Sequence, residues 1–327
     1  MKPSIFDLAT KELSQDAFFT WLLQWADGAN KIYDEALNTC ASNFATLLIE
    51  KQFEYKKPVK KVNAGRQWEN IDIWAEINDE ILIIIEDKTY TTEHSGQLET
   101  YKQIAEKYCA ERNLKLVPIY LKTGSESSVS LKNVVSKGFK TVERKDLAAF
   151  LNEQEGIEND IFNDFKTRIN KIEQHTSTYL TLKIKDWRYN SWEGFYIFLQ
   201  DSINVRDWSY VSNPRGGFLG LWWHFLDWKE FNVYLQIEQG NLCFKIGEVY
   251  DNKSGTRNEW HDIIMTKAKT ANLKEIKKPG RFGNGTYMTV AVVERKDWLG
   301  ADDEVADLNA IVKKLKEYEF FLNECIK

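Results

Sequence analysis

Apolar residues recur at three- and four-residue spacings through the first fifty positions. Phe18, Trp21, Leu22 and Trp25 form one stripe, which predicts a helix over 7–26 ended by Gly28. Leu37, Phe44, Leu47 and Leu48 form a second, predicting a helix over 33–52. Pro58 then breaks the helical pattern, and an edge strand can begin there. Beyond it the period changes. Ile71-Asp72-Ile73 and Ile81-Leu82-Ile83-Ile84-Ile85 read as two strands joined by a tight turn at Asn78-Asp79-Glu80. The second strand is apolar on both faces, as in a sheet covered on both sides. A helix over 91–112 leads to a strand over 116–121, and a helical crossover makes that strand parallel to the one before. A Ser-rich polar loop, a strand over 139–142 and a helix over 145–154 complete the series. The order predicts an α/β domain with a mixed sheet flanked by helices.

Past a helical stretch over 159–185 the composition shifts. Trp187, Trp192, Trp208, Trp222, Trp223 and Trp228 crowd together. Segments 231–238 and 241–249 read as a hairpin around Gln239-Gly240. A strand over 287–294 and an amphipathic helix over 308–325 follow. The second half is therefore α+β, and the boundary falls near 180, giving domains 1–180 and 181–327. At 327 residues, two domains suit the length.

A hydrophobic fraction of 43%, with 12 Trp, 14 Tyr and 18 Phe, supplies a core for each domain. The tryptophans are expected mostly in that core, although aromatic residues can also stack on bases. The formal net charge of -5 does not advertise nucleic-acid binding, yet a binding face needs only a local basic stripe. Cys40, Cys109, Cys243 and Cys325 lie far apart without CxxC spacing, which argues for buried thiols rather than a zinc or iron-sulfur site. The N-terminus has no signal-peptide pattern and no apolar run reaches membrane-spanning length, so a cytoplasmic protein is expected.

Against this background the charges on the apolar hairpin stand out. Cross-strand partners about that turn have numbers summing to twice 79, and 72 and 86 satisfy the sum, so Asp72 faces Glu86. Lys88, two residues on, projects to the same side as Glu86. Like charges directly opposite are destabilising, so the pair calls for a cation, and oxygen ligands suit a hard divalent metal. Glu-x-Lys recurs at Glu143, Glu275 and Glu294. Glu143 and Glu294 also end apolar strands, but neither has an acidic partner at a matching register.

Asp72, Glu86-x-Lys88 and then Gln97-Leu98-Glu99-Thr100-Tyr101 resemble the D…ExK…QxxxY order of the PD-(D/E)xK nuclease superfamily, particularly its RecB-like members and Holliday-junction resolvases. The resemblance covers roughly the first half of the chain, and the element order agrees with that family's restriction-endonuclease-like αβββαβ core. Ile71 stands where the family name has Pro, a position that varies across the superfamily. The resemblance implies phosphodiester hydrolysis, DNA as the expected substrate, with Mg²⁺ or Mn²⁺ held by Asp72, Glu86 and the backbone carbonyl of Asp87. It implies a role for Lys88 in orienting or polarising the attacking water, and places Glu12 where many members carry an acidic residue on the first helix. Gln97 and Tyr101 share one helix face. Such proteins act in DNA processing or defence; the oligomeric state stays open, a homodimer included.

Each assignment has a plainer competitor. Asp72, Glu86 and Lys88 can form a structural ion pair, Glu12 can be a helix-start residue beside Ser14, Gln15 and Asp16, and Gln97 and Tyr101 can be ordinary helix positions. The basic stretch Lys51, Lys56, Lys57, Lys60, Lys61 and Arg66 suggests a phosphate-backbone contact next to the site, against the plainer reading of a solvated face. His94 is a helix-start residue with a phosphate contact as the lesser reading. At the level of the whole chain, the rivals to a nuclease are a nuclease fold kept as a catalytically inactive binding or scaffolding module, and a C-terminal domain that binds carbohydrate or protein.

Overall fold

The N-terminal apolar stripes become α1 (Glu12–Trp25) and α2 (Glu35–Glu50) in a computed structural model that describes residues 3–93, 96–213 and 216–327. The chain divides into two compact units, Met1–Gln174 and His175–Lys327.

In the first unit β1 (Val62–Trp68), β2 (Ile71–Ile77), β3 (Ile81–Lys88), β4 (Lys115–Lys122) and β5 (Lys140–Glu143) form one sheet in that order. β1, β2 and β3 pair antiparallel, whereas β3, β4 and β5 pair parallel. Between them run α3 (Gln97–Arg112) and α4 (Ser128–Ser136), then α5 (Arg144–Glu153) and α6 (Asp160–Thr176). This mixed sheet with flanking helices fits an α/β fold. Alternation sorts the two faces: Ile73, Ala75, Ile83, Ile85 and Ile119 pack with Phe18, Phe44, Leu147 and Phe165 of α1, α2, α5 and α6. Leu82, Ile84 and Tyr120 meet Leu98, Ala105 and Cys109 of α3 on the other. Ile83 is fully buried at the centre of the larger cluster. Ile83→Ala is expected to cost about 2–5 kcal/mol in urea unfolding, whereas Ile32→Ala, at a position 83% exposed, is expected to leave the midpoint in place.

The second unit has an antiparallel sheet in the order β10-β9-β8-β7-β6, from β6 (Val205–Val211), β7 (Phe218–Trp228), β8 (Phe231–Glu238), β9 (Asn241–Gly247) and β10 (Met288–Val293). Its helices are α7 (Tyr189–Ser202), α8 (Lys253–Thr270), the short α9 (Arg295–Trp298) and α10 (Leu308–Cys325). Leu221, Leu235 and Phe244 of the sheet share a core with Phe195, Trp260 and Leu315. Seven of the eight C-terminal tryptophans are buried, Trp222 being half-buried. All four cysteines are free and buried, and no helix among the described residues is long and apolar enough to cross a membrane.

Several elements differ from the sequence pattern. α1 begins at Glu12 because residues 5–8 close a separate turn, with Leu8 N donating to Ile5 O at 3.1 Å. Gly96, left-handed at φ 78, delays α3 to Gln97. The Ser-rich loop contains α4, whose Ser127 side chain accepts from Ser130 N as an N-cap. The helix expected over 159–185 stops at Thr176 and continues as two short 3-10 turns.

Candidate active site

The register of β2 on β3 runs Ile77↔Ile81, Ala75↔Ile83, Ile73↔Ile85. Continued by one residue, it sets Asp72 opposite Glu86 on the face covered by α3. The period of two brings Lys88 to that face and turns Asp87 to the other. Lys88 Nζ forms an ion pair with Glu86 Oε1. From α3, Gln97 Nε2 donates to Glu86 Oε1 at 2.8 Å and to Tyr101 Oη at 3.0 Å. Asp72 Oδ2 accepts from Asp87 N at 3.1 Å.

The electrostatics of this cluster are unusual for a structural ion pair. Glu86 is buried, and its Oε2 has no hydrogen-bond donor. Burial first, and the Asp72 charge second, push Glu86 up to about 8 despite Lys88. Without a cation, Glu86 therefore takes up a proton far more readily than an ordinary carboxylate. Burial pulls Lys88 down, but Glu86, Asp72 and Glu12 outweigh it and leave the ammonium above its ordinary value. Buried polar atoms are satisfied in the great majority of cases, so the bare Oε2 beside a second carboxylate is the feature a hard cation fits. Among the described residues no three His, Cys, Asp or Glu side chains gather as a metal cluster.

Glu12 reaches the same strand end. Its Oε1 accepts from Thr89 N at 2.9 Å and Thr91 Oγ1 at 2.8 Å, so it anchors the chain leaving β3 as well as facing Lys88. Asp87 points to the α1 side, where Gln15 Nε2 donates to both its oxygens at 2.6 and 2.8 Å. That leaves the backbone carbonyl as the atom Asp87 can offer to the site.

Behind it lies a layer that the pattern of residues does not announce. Gln15 Oε1 accepts from Thr123 Oγ1 at 2.8 Å, tying α1 to the end of β4. Asp16 is buried beside Asp87; burial first and then Asp72 raise it to about 7, and Asp87 lies well above its usual range through burial and Asp16. The two acids favour a shared proton. On the α3 face, Lys122 pairs in parallel register with Lys88. Its ammonium is buried against Glu126 at 3.2 Å and donates to Thr91 O at 2.5 Å, while Tyr120 Oη donates to Glu126 at 2.8 Å. The available signal was Glu12, Gln15 and Asp16 at three- and four-residue spacing on one helix face.

The basic stretch is not brought to these carboxylates. β1 runs antiparallel to β2, so the residues before β1 lie at the hairpin turn. Lys57 pairs with Glu80 at 2.7 Å and Lys61 with Asp79 at 2.8 Å. From Glu80 to Glu86 is roughly 20 Å at about 3.3 Å per residue. Lys56 pairs with Glu54, Lys51 with Asp146, and Lys60 N donates to the Asn78 side chain. This corrects the expected contact next to the site: the acidic turn pairs Lys57 and Lys61 at the far end. Arg66 alone of the group lies near the site end, opposite Ile73, with Nη1 donating to Leu13 O at 3.2 Å. His94 lies outside the described residues. The other Glu-x-Lys copies are surface features: Glu294 joins exposed pairs with Lys277 and Lys296, and Glu143 caps α5.

A family model described as the PD-(D/E)XK nuclease superfamily matches residues 3–192. No curated protein and no solved structure matches the chain.

Proposed function

The chain belongs to the PD-(D/E)XK nuclease superfamily, and we propose that it is a Mg²⁺- or Mn²⁺-dependent deoxyribonuclease, acting in DNA processing or defence, whose site is Asp72, Glu86 and Lys88. The observation that carries this is the donorless, buried Oε2 of Glu86 beside Asp72. Asp72, Glu86 and the Asp87 carbonyl would hold the cation. When bound, it supplies neutralisation of the phosphoryl oxygens and acidification of an attacking water.

The remaining work falls to the chain. Lys88, held beside Glu86 Oε1, stabilises negative charge developing at the phosphorus. Gln97 fixes the Glu86 rotamer, and Tyr101 holds Gln97 in turn. Glu12, through Thr89 and Thr91, keeps the strand end in place. Residues 1–180 form the nuclease-like domain in this reading, and 181–327 serve recognition. Retention of Asp72, Glu86 and Lys88 gives no support to an inactive scaffold.

Incubating the protein with linear duplex, circular duplex and single-stranded DNA, with Mg²⁺ or Mn²⁺ and with Glu86→Ala as control, tests the proposal. Metal-dependent cleavage of at least one substrate by the unaltered protein alone is expected; circular DNA cut as readily as linear identifies internal cleavage. Cleavage of none of the three with either metal counts against it.

A further inference from the structure

We propose that the groove between α8 and α10 binds single-stranded DNA. This rests on the nuclease reading, which supplies the class of ligand. The groove has a volume of about 930 Å³ and an apolar floor that includes Leu273, Val312 and Phe321. Phe320 stands on its rim with 67% of its surface exposed, although its neighbour Phe321 is buried in the core. A large phenyl ring left in water beside an apolar trough marks an interaction site rather than a packing position.

Charge identifies the occupant. The protein is acidic as a whole, at -5, yet Lys267 of α8 lines the groove, and Lys269 stands in the same last turn of that helix. From α10, Lys313 and Lys316 add to the same rim. Lys267, Lys313 and Lys316 form no ion pair among the described residues. Of the two acids at the groove, Glu324 is paired with Lys327 at 2.5 Å, and Glu317 shares Lys314, at 3.6 Å, with Glu275. Lys267 and Lys269 also complement the C-terminal end of the α8 dipole, but that does not account for Lys313 and Lys316, in the middle of α10.

Lysines along an apolar trough with a free aromatic ring match a polyanion that also offers flat apolar faces. Single-stranded nucleic acid has both, with phosphates for the ammonium groups and unpaired bases to stack on Phe320. In a duplex the base faces are already stacked, so the ring would find no partner. The choice of DNA over RNA comes from the nuclease reading.

Fluorescence anisotropy on the full chain, in EDTA so that no cleavage intervenes, tests this with a labelled single strand of about 16 nucleotides. Lys313→Glu combined with Lys316→Glu is expected to weaken binding roughly 30-fold and to lower the salt slope by about 1.4, two phosphate contacts at about 0.7 each. Phe320→Ala is expected to weaken it on the order of tenfold with the slope unchanged. Ile32→Ala, at an exposed position outside both sites, should bind as the unaltered protein does. Binding unaffected by either groove variant overturns the proposal. So does a duplex bound as tightly as the single strand, tighter binding of the matching RNA, or capture of an acidic amphipathic peptide in place of the oligonucleotide. Binding that follows these variants in a protein that cleaves nothing would sink the nuclease reading alone; cleavage with the groove variants silent would sink only this one.

Discussion

Lys88→Met is expected to lower DNA cleavage by about a thousandfold or more while leaving divalent-cation affinity within a few-fold. Glu86→Gln is expected to lose both. The split follows from the geometry. Lys88 contributes no oxygen ligand, and its ammonium lies against Glu86 Oε1, not the donorless Oε2. In the proposed mechanism, replacing it removes a cation near the reacting phosphate, and loss of one preorganised charge-stabilising group typically costs about 10²–10³ in rate, the upper figure applying to a buried site. Glu86→Gln keeps the shape and the contact to Gln97 while removing the charge that a metal needs. Calorimetric titration with Mn²⁺ alongside initial-rate assays separates the two effects. Equal losses of affinity in both variants would show that Lys88 acts only by holding Glu86 in place.

The second large effect is on stability. Glu86 sits near 8 in the fold against an ordinary value of 4.5. The folded state thus binds the proton more tightly than the unfolded chain, so this contribution to stability is complete below pH 4.5 and is lost as pH rises through about 8. The ceiling is on the order of 5 kcal/mol at 1.36 kcal/mol per pH unit. Asp16, near 7 against 3.8, works in the same direction over a lower window. Lys88, raised from 10.5, keeps its contribution throughout this range and loses it only at higher pH. Metal-free protein should therefore melt at progressively lower temperature from pH 5 to 8. Glu86→Gln should flatten the part between 7 and 8, and saturating Mn²⁺ should raise the unaltered protein's midpoint more at pH 8 than at pH 6, because cation and proton compete for one carboxylate. A slope unchanged in Glu86→Gln would place the titrating group elsewhere.

Much of this site was legible before any coordinates. A tight turn at Asn78-Asp79-Glu80 and a strand period of two were enough to pair Asp72 with Glu86, and the observed register continues to that pair. Gln97 and Tyr101 came from the resemblance to the superfamily's QxxxY order, and helical spacing put them on one face. What stayed hidden depends on contacts between distant elements. Gln15 meets Asp87 and Thr123 across 72 and 108 residues, and nothing near Gln15 separates it from a solvent-facing helix start. Lys122 ends an ordinary apolar strand, and only the parallel register of β3 and β4 sets it beside Lys88. The lysine stretch failed for a related reason: charge says that a segment is basic, not which end of a sheet it occupies. In the second unit, β6 and β7 escaped notice because register shifts between Val205 and Asp207 and between Trp223 and Leu226 interrupt the alternation.

Cleavage of DNA by purified Asp72→Ala, Glu86→Ala and Lys88→Ala, each beside the unaltered protein with Mg²⁺ or Mn²⁺, tests the central claim most directly. Activity in the unaltered protein that disappears in all three variants, and in the unaltered protein with EDTA, is the predicted result; cleavage persisting in all three under the same conditions would contradict it.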